Sequence, residues 1–233
     1  NNSKILVTGA GGFIGSQLVE RLVGLGATTR AMVRYSSTGS RGWLEHSSVK
    51  GDFEVAIGDV RDPDGLRQAV TGVNVVFHLA ALADIVPSIE EPLLYHRANV
   101  DGTVNVLEAA RASGTKKFVF FSSGGTVYGQ PEDLPVGESQ PTAPENPYGT
   151  SKLAGEEYLA MYRRTFGFES TVLRLANVYG PRQDPHGEAG VVAIFALAML
   201  AGNQITIFGD GNDERDYVYV SDVVDAVMAA AAP

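Results

Sequence analysis

Ile5-Leu6-Val7-Thr8-Gly9-Ala10-Gly11-Gly12-Phe13-Ile14-Gly15 is the stretch on which the fold turns. Ile5 to Thr8 is a short, largely β-branched run of the kind that fills a buried strand. After the glycines, Ile14, Leu18, Leu22 and Leu25 recur at three- and four-residue spacing, which is one face of a helix. Gly9, Gly12 and Gly15 therefore form a G-x-x-G-x-x-G turn between a strand and a helix. Such a turn lets the backbone approach a pyrophosphate at the helix N-terminus and brings helix and sheet close together. A P-loop is a poorer reading, because Ser16 stands where that motif needs Lys after the last glycine.

The same alternation continues outward. Thr29–Arg34, Glu54–Gly58, Val73–His78 and Phe118–Ser122 read as further strands, and Leu93–Ala112 and Pro147–Phe166 as long helices. Strand signals return at Ser170–Leu175, Ile205–Phe208 and Tyr217–Val220, with Ser221 as the N-cap of a last helix rich in Val and Ala. Strands alternating with helices predict an α/β fold, a doubly wound parallel sheet of the Rossmann type covered on both faces. Helix and strand patterns lapse at Gly180-Pro181-Arg182-Gln183-Asp184-Pro185. The expected division is a dinucleotide-binding domain over 1–176 and a smaller substrate lobe over 177–233, interleaved with the first.

Composition narrows the function. The 233 residues carry 27 acidic and 18 basic side chains, a net charge of −9, which disfavours nucleic acid and anionic membrane as partners. With no cysteine there is no disulfide, zinc-thiolate site, iron–sulfur cluster or cysteine nucleophile. The longest apolar run, Val191–Ala201, is shorter than the roughly 18 residues a membrane span requires, and reads as a buried helix. The N-terminus lacks the apolar stretch of a secretory signal, so a cytoplasmic location is expected. The four histidines, His46, His78, His96 and His186, show no metal-ligand spacing, and His78 at a strand end reads as structural. No G-x-S-x-G nucleophile elbow is present.

The strand ends supply the rest of a dinucleotide cleft. At the second, Val33-Arg34-Tyr35-Ser36-Ser37 holds no carboxylate for an NAD ribose, and Arg34 instead suits a 2′-phosphate, leaving NADP open beside NAD. Asp59, at the end of the third, is placed for the adenine amino group, and Ala80-Ala81 leave room for the cofactor backbone.

Chemistry comes from Tyr148-Gly149-Thr150-Ser151-Lys152 and Ser122-Ser123-Gly124-Gly125. A four-residue offset puts the Tyr148 phenol and the Lys152 ammonium on one helix face. For Tyr to act as a base near neutrality its pKa must fall from about 10 to about 7, roughly 4 kcal/mol of differential stabilisation. A neighbouring Lys and a cationic nicotinamide both push that way. A hydroxyl at the Ser-rich strand end, where Ser123 lies 25 residues before Tyr148, can hydrogen-bond a reacting oxygen.

Taken with Asn99-Val100-Asp101-Gly102-Thr103, Asn177-Val178-Tyr179-Gly180-Pro181-Arg182, Ile207-Phe208-Gly209-Asp210-Gly211 and Arg215-Asp216-Tyr217, these residues resemble the extended short-chain dehydrogenase/reductase family of nucleotide-sugar enzymes, the NAD-dependent epimerases and dehydratases. The resemblance is strongest to its UDP-glucose (UDP-galactose) 4-epimerase branch and covers essentially the whole chain. It implies Tyr148 as base, Lys152 as its partner and holder of the nicotinamide ribose, and Ser123 as the third catalytic group. It extends the cofactor cleft, already containing Gly9, Gly12, Gly15, Arg34, Ser36, Ser37, Asp59, Ala80 and Ala81, through Phe13, Ile14, Val60, Leu79, Asn99, Ser122 and Leu175. Asn177 and Arg215 would contact the nucleotide diphosphate, Phe208 the uracil, and Val192 the substrate. The implied reaction is 4-epimerisation of a UDP-hexose through a transient 4-keto sugar, with tightly held NAD and a homodimer formed through the long helices. Members usually continue beyond Arg215, so an incomplete substrate lobe is expected.

Two rivals stand beside this reading. Val33-Arg34-Tyr35-Ser36-Ser37 and Gly42-Trp43-Leu44-Glu45 also resemble the 4,6-dehydratase branch. Water elimination there needs an acidic pair after the catalytic hydroxyl, and no carboxylate occurs between Ser122 and Tyr128. The other rival, a cofactor sensor without turnover, sits poorly with an intact Tyr148, Lys152 and Ser123.

Overall fold

The structure is a computed structural model and describes residues 3–49, 51–131, 133–187 and 190–231. The opening stretch folds as expected. Strand β1 (Lys4–Thr8) leads through the glycine turn into α1 (Phe13–Gly24), which is followed by β2 (Thr28–Val33), a 3-10 turn (Gly42–His46) and β3 (Glu54–Ile57). Helix α2 (Pro63–Ala69) precedes β4 (Val75–His78), and α3 (Ile85–Glu90) and α4 (Pro92–Tyr95) follow it. A π-helical turn (His96–Asp101) runs directly into α5 (Gly102–Ala112), then β5 (Lys117–Ser123), α6 (Gly124–Val127), α7 (Pro147–Phe166) and β6 (Ser170–Leu175). Last come β7 (Asn177–Tyr179), α8 (Val191–Leu200), β8 (Tyr217–Tyr219) and α9 (Val220–Ala230).

The six main strands are parallel, in the order β3-β2-β1-β4-β5-β6, which is the doubly wound Rossmann arrangement. Alternation along each strand divides the core in two. Leu6, Val76, Phe118 and Phe120 face one side, against Leu66, Leu107, Leu159 and Tyr162 of α2, α5 and α7. Ile5, Val7, Phe77, Val119 and Phe121 face the other, against Leu18 and Leu22 of α1 and Val223, Val224 and Val227 of α9. The chain thus sends its last helix back onto the first helix's layer, while β7 and β8 pair with each other in a separate two-stranded parallel sheet.

The strand order reverses between β1 and β4, and a crevice opens there above the carboxyl ends of the strands. Register determines what enters it. Thr8 pairs with His78 and His78 with Phe120, but β5 runs on through Ser122 and Ser123, which pair only with β6. The Ser-rich strand end therefore projects past β4 beside the crevice.

Four expectations are corrected. Val191–Ala201 does form a helix, but α8 has no buried residue, and Leu200 is 88 % exposed. Helix propensity is local, whereas burial needs a partner, and an apolar helix alone does not supply one. Ile205–Phe208 forms no strand. Strand formation depends on a neighbour to pair with, and β8 has taken β7. Ser221 is not an N-cap: α9 begins at Val220, whose fully buried side chain packs under Gly180, and the Ser221 hydroxyl reaches Asp222 instead. Finally, the long helix expected from Leu93 to Ala112 begins at Pro92 and is interrupted by the π turn. Among the described residues no helix is long and apolar enough to cross a membrane.

Candidate active site

The glycine turn is shaped for close backbone approach. Gly9 has φ +68°, and a methyl group on it would lie 2.8 Å from the Ala80 nitrogen. One on Gly15 would lie 2.3 Å from the Gly9 carbonyl oxygen, so α1 packs against the turn only with glycine there. Gly12 occupies the N-cap of α1 with no side-chain cap, which leaves the first-turn N–H groups facing the crevice for an anion. Those open donors and that cradle fit a dinucleotide pyrophosphate. Phe13 lines a neighbouring cleft of about 410 Å³ with Gly11, Trp43 and Arg182, while Ile14 packs inward toward the core.

Beneath the turn lies a buried relay. The Thr103 hydroxyl donates its hydrogen to the Asn99 carbonyl, so it must accept from His78 Nε2–H at 3.0 Å. His78 Nδ1 then accepts from the Thr8 hydroxyl at 2.8 Å, and Thr8 Oγ1 accepts the Ala80 N–H at 3.1 Å. Burial, with a smaller contribution from the Lys152 charge, lowers the His78 pKa to about 3, so the ring is neutral. His78 is a structural pin between β1, β4 and α5, as its place at a strand end suggested.

Helix α7 starts where its sequence tells it to. Asn146 caps it, its Oδ1 accepting the Gly149 N–H at 2.8 Å, Pro147 follows in the first turn, and Gly167 ends it in the left-handed conformation. Tyr148 and Lys152 lie one turn apart on the face toward β5. Lys152 is buried, donates from Nζ to the Phe121 carbonyl at 2.9 Å, and lies 5.9 Å from the centre of the Tyr148 ring. Desolvation pulls its pKa down to about 8.

Burial pushes the Tyr148 pKa upward, the nearby Ser123 side chain pulls it down less strongly, Tyr95 and Asp84 add to the rise, and the net direction is upward. The expected lowering is not achieved by the protein's own groups, because burial of the phenol outweighs what opposes it. Ser123 sits at the N-cap of α6 without capping it, so its hydroxyl is directed to Tyr148. A side chain at Gly124 would instead point at the β6 backbone, 3.1 Å from the Arg174 carbonyl oxygen.

Several expected cofactor residues serve from behind the crevice. Ser122 is buried and donates to Glu156. Asn99, in the π turn, accepts the Leu82 N–H at 2.8 Å and donates to the Leu82 carbonyl and to Ser151 Oγ, each at 2.9 Å. Ser151 in turn donates to the Tyr148 carbonyl at 2.7 Å, so Asn99 ties the loop after β4 to the start of α7. Val60 packs against Gly102, and Leu79, Ala81 and Leu175 are half-buried at the strand ends. At the adenosine end, Arg34 and Ser37 are exposed and the Ser36 hydroxyl accepts the Ser40 N–H at 2.8 Å. Asp59 is paired with Arg61.

The expected substrate residues are not gathered in the same way. Asn177 starts β7 and donates to the Asp216 carbonyl. Among the described residues Arg215 bonds within its own loop, to the Glu214 carbonyl and near Asp213. Phe208 is 86 % exposed, and Val192 lies on the exposed helix α8.

Two features escaped the sequence reading. One is a polar cluster in which Arg174 of β6 binds Glu156 of α7 and the Tyr128 hydroxyl, with Ser122 on the same carboxylate. A carboxylate one turn beyond Lys152 was the available signal. The other is a clasp on α1: Arg182, at φ +75°, donates to Ser16 Oγ at 3.1 Å and to Glu20 at 2.8 Å, and Gln17 donates to the Pro181 carbonyl at 2.8 Å.

Comparison with known proteins places the chain in a family. The NAD dependent epimerase/dehydratase family model matches residues 5–233. A UDP-glucose 4-epimerase of Mycolicibacterium smegmatis is 48 % identical over 99 % of this chain and 74 % of its own length. Among solved structures, the Thermotoga maritima UDP-glucose 4-epimerase with UDP-glucose superposes with a TM-score of 0.91 at 42 % identity, covering 98 % of this chain and 73 % of that one. The Thermus thermophilus UDP-glucose 4-epimerase in complex with NAD gives 0.87 at 41 %, covering 99 % and 75 %. Matched by the family model over residues 5–233 and 48 % identical to such a relative over 99 % of its length, the chain belongs to the NAD dependent epimerase/dehydratase family.

Proposed function

We propose that the chain interconverts the C4 epimers of a UDP-hexose, UDP-glucose and UDP-galactose being the natural pair. The observation that carries this is the meeting of Ser123 and Tyr148 beside buried Lys152, next to a glycine cradle suited to a dinucleotide. The 4-epimerase names of the similar proteins support it.

Gly9, Gly12 and Gly15 would hold the pyrophosphate of NAD, and Lys152 the nicotinamide ribose. When bound, the nicotinamide ring supplies a reversible hydride acceptor and a positive charge close to the phenol. That charge opposes the desolvation of Tyr148 and favours its phenolate. Tyr148 then takes the proton from the sugar 4-hydroxyl while Ser123 hydrogen-bonds the same oxygen. The carbon is planar in the resulting 4-keto sugar, and once the sugar has turned over Tyr148 returns the proton. Asn177 and Arg215 belong to this reading as diphosphate contacts, with Phe208 and Val192 on the substrate side. Gly124, Gly125 and Thr126 offer no acid or base for water elimination, so dehydration is the weaker reading.

A homodimer in the cytoplasm is part of the proposal. Leu93 of α4 and Tyr158 and Phe166 of α7 are exposed apolar groups on the helices that would pair. The deciding experiment incubates the protein with UDP-galactose and UDP-glucose separately and resolves the products. Appearance of the 4-epimer is expected; a 4-keto-6-deoxy product would refute the assignment. Sedimentation at the mass of a single chain would remove the dimer.

A further inference from the structure

The adenosine end of the cleft differs in charge from one built only for NAD. Discrimination in favour of an unphosphorylated ribose relies on a carboxylate at the end of β2, which accepts from the 2′-hydroxyl and repels a phosphate. Here β2 ends at Val33 and the next residue is Arg34, exposed and with no hydrogen bond or ion pair among the described residues. The nearest carboxylate from another strand end is Asp59, and it is fully engaged. Its Oδ1 accepts from the Arg61 N–H and Nε, each at 2.9 Å, and its Oδ2 from Arg61 NH2 at 2.6 Å. The Arg61 hydrogen bonds, helped by the charge of Arg34, hold the Asp59 carboxyl below its usual range, so the pair carries no net charge. Arg34 remains as an uncompensated cation. Beside it, the Ser36 hydroxyl closes a turn on the Ser40 N–H, and Ser37 is left exposed on that turn.

We infer that this protein binds 2′-phosphorylated dinucleotide as well as NAD, with Arg34 as the group that reads the 2′-phosphate. A guanidinium meeting a phosphate makes charge-assisted, commonly bidentate hydrogen bonds, and the Asp59 carboxylate on which Arg34 acts is already held by Arg61. The inference rests on the dinucleotide reading of the cleft and adds to it a specificity that the 4-epimerase reaction does not require.

The test is exchange at equilibrium. The purified protein is incubated with an equimolar excess of NAD and NADP, desalted, and the retained dinucleotides are released and measured by mass spectrometry. The wild type is expected to retain NADP at one tenth of NAD or more, and less than that overturns the inference. Arg34→Asp, a change at an exposed position, is expected to lower the NADP-to-NAD ratio at least tenfold while NAD is still retained; a smaller fall overturns the role of Arg34. Arg34→Lys is expected to hold the ratio closer to wild type than Arg34→Asp does. Retention of neither dinucleotide would remove the cleft reading itself, an outcome distinct from retention of NAD alone.

Discussion

Arg174 grips both oxygens of Glu156, with NH2 to Oε2 at 2.6 Å and Nε to Oε1 at 3.1 Å, and so fastens β6 to α7 one turn beyond Lys152. The Glu156 side chain is 10 % exposed and that of Arg174 23 %. Removing one partner from such a pair strands the other's charge, at a cost of about 2–4 kcal/mol. Glu156→Ala is therefore expected to lower the unfolding free energy measured in urea by that amount. The double change Glu156→Leu, Arg174→Met should cost less than Glu156→Leu and Arg174→Met do together. A double loss equal to that sum would show that the pair is not coupled.

Tyr148→Phe removes the proton acceptor and leaves the ring that packs beside Lys152. Turnover is expected to fall by about 10³-fold, within the range for loss of a general acid–base group. Dinucleotide retention should persist, because the glycine cradle is untouched. Activity within tenfold of wild type would show that another group moves the proton.

Lys152 carries a stability cost that substitution should reveal. Its folded pKa, about 8, lies below the 10.5 of an unburied lysine. The unfolded chain therefore binds the extra proton, and stability rises with pH between about 8 and 10.5. At pH 7 the full penalty is in force, about 3 kcal/mol. Lys152→Met is expected to be inactive, yet more stable than wild type at pH 7 by about 1–3 kcal/mol after the lost Phe121 bond is counted. Denaturant unfolding without cofactor measures it, and a destabilised variant would show that the Phe121 bond outweighs desolvation.

His78 produces a slope of the same sign in a more acid window. Its folded pKa, about 3, is below the 6.5 of a free imidazole, so the stability it allows is complete above about pH 6.5 and is lost as pH falls toward 3. Between pH 6.5 and 4 the loss is about 3 kcal/mol. In His78→Gln that part of the pH dependence should vanish, leaving a weaker but flatter profile. An unchanged slope in urea titrations at successive pH values would place the acid sensitivity elsewhere.

The sheet was legible because every signal for it is local. Gly9, Gly12 and Gly15 mark the first crossover, and Asn146-Pro147 at one end and Gly167 at the other bracket α7. Tyr148 and Lys152 were readable for the same reason, since a four-residue offset on a helix fixes a shared face. What was hidden depends on partners distant in sequence. Arg174 finds Glu156 across two elements, Val220 sets the start of α9 by packing under Gly180, and Ile205–Phe208 stays irregular for want of a strand to join. The net direction of the Tyr148 pKa was hidden for a related reason. Spacing gave its proximity to Lys152, but not the burial that opposes its ionisation.

The clasp that Arg182 and Gln17 make on α1 has a mechanical meaning. The helix is addressed at both ends of its first turns: its opening N–H groups face the crevice, and Ser16, Gln17 and Glu20 are tied to the loop that follows β7. That loop leads on to α8. Arg182, in its left-handed conformation, and Gln17 thus act as rivets between a loop and the helix that the glycine turn opens. Without them the loop after β7 would keep only its own backbone turns to hold its place.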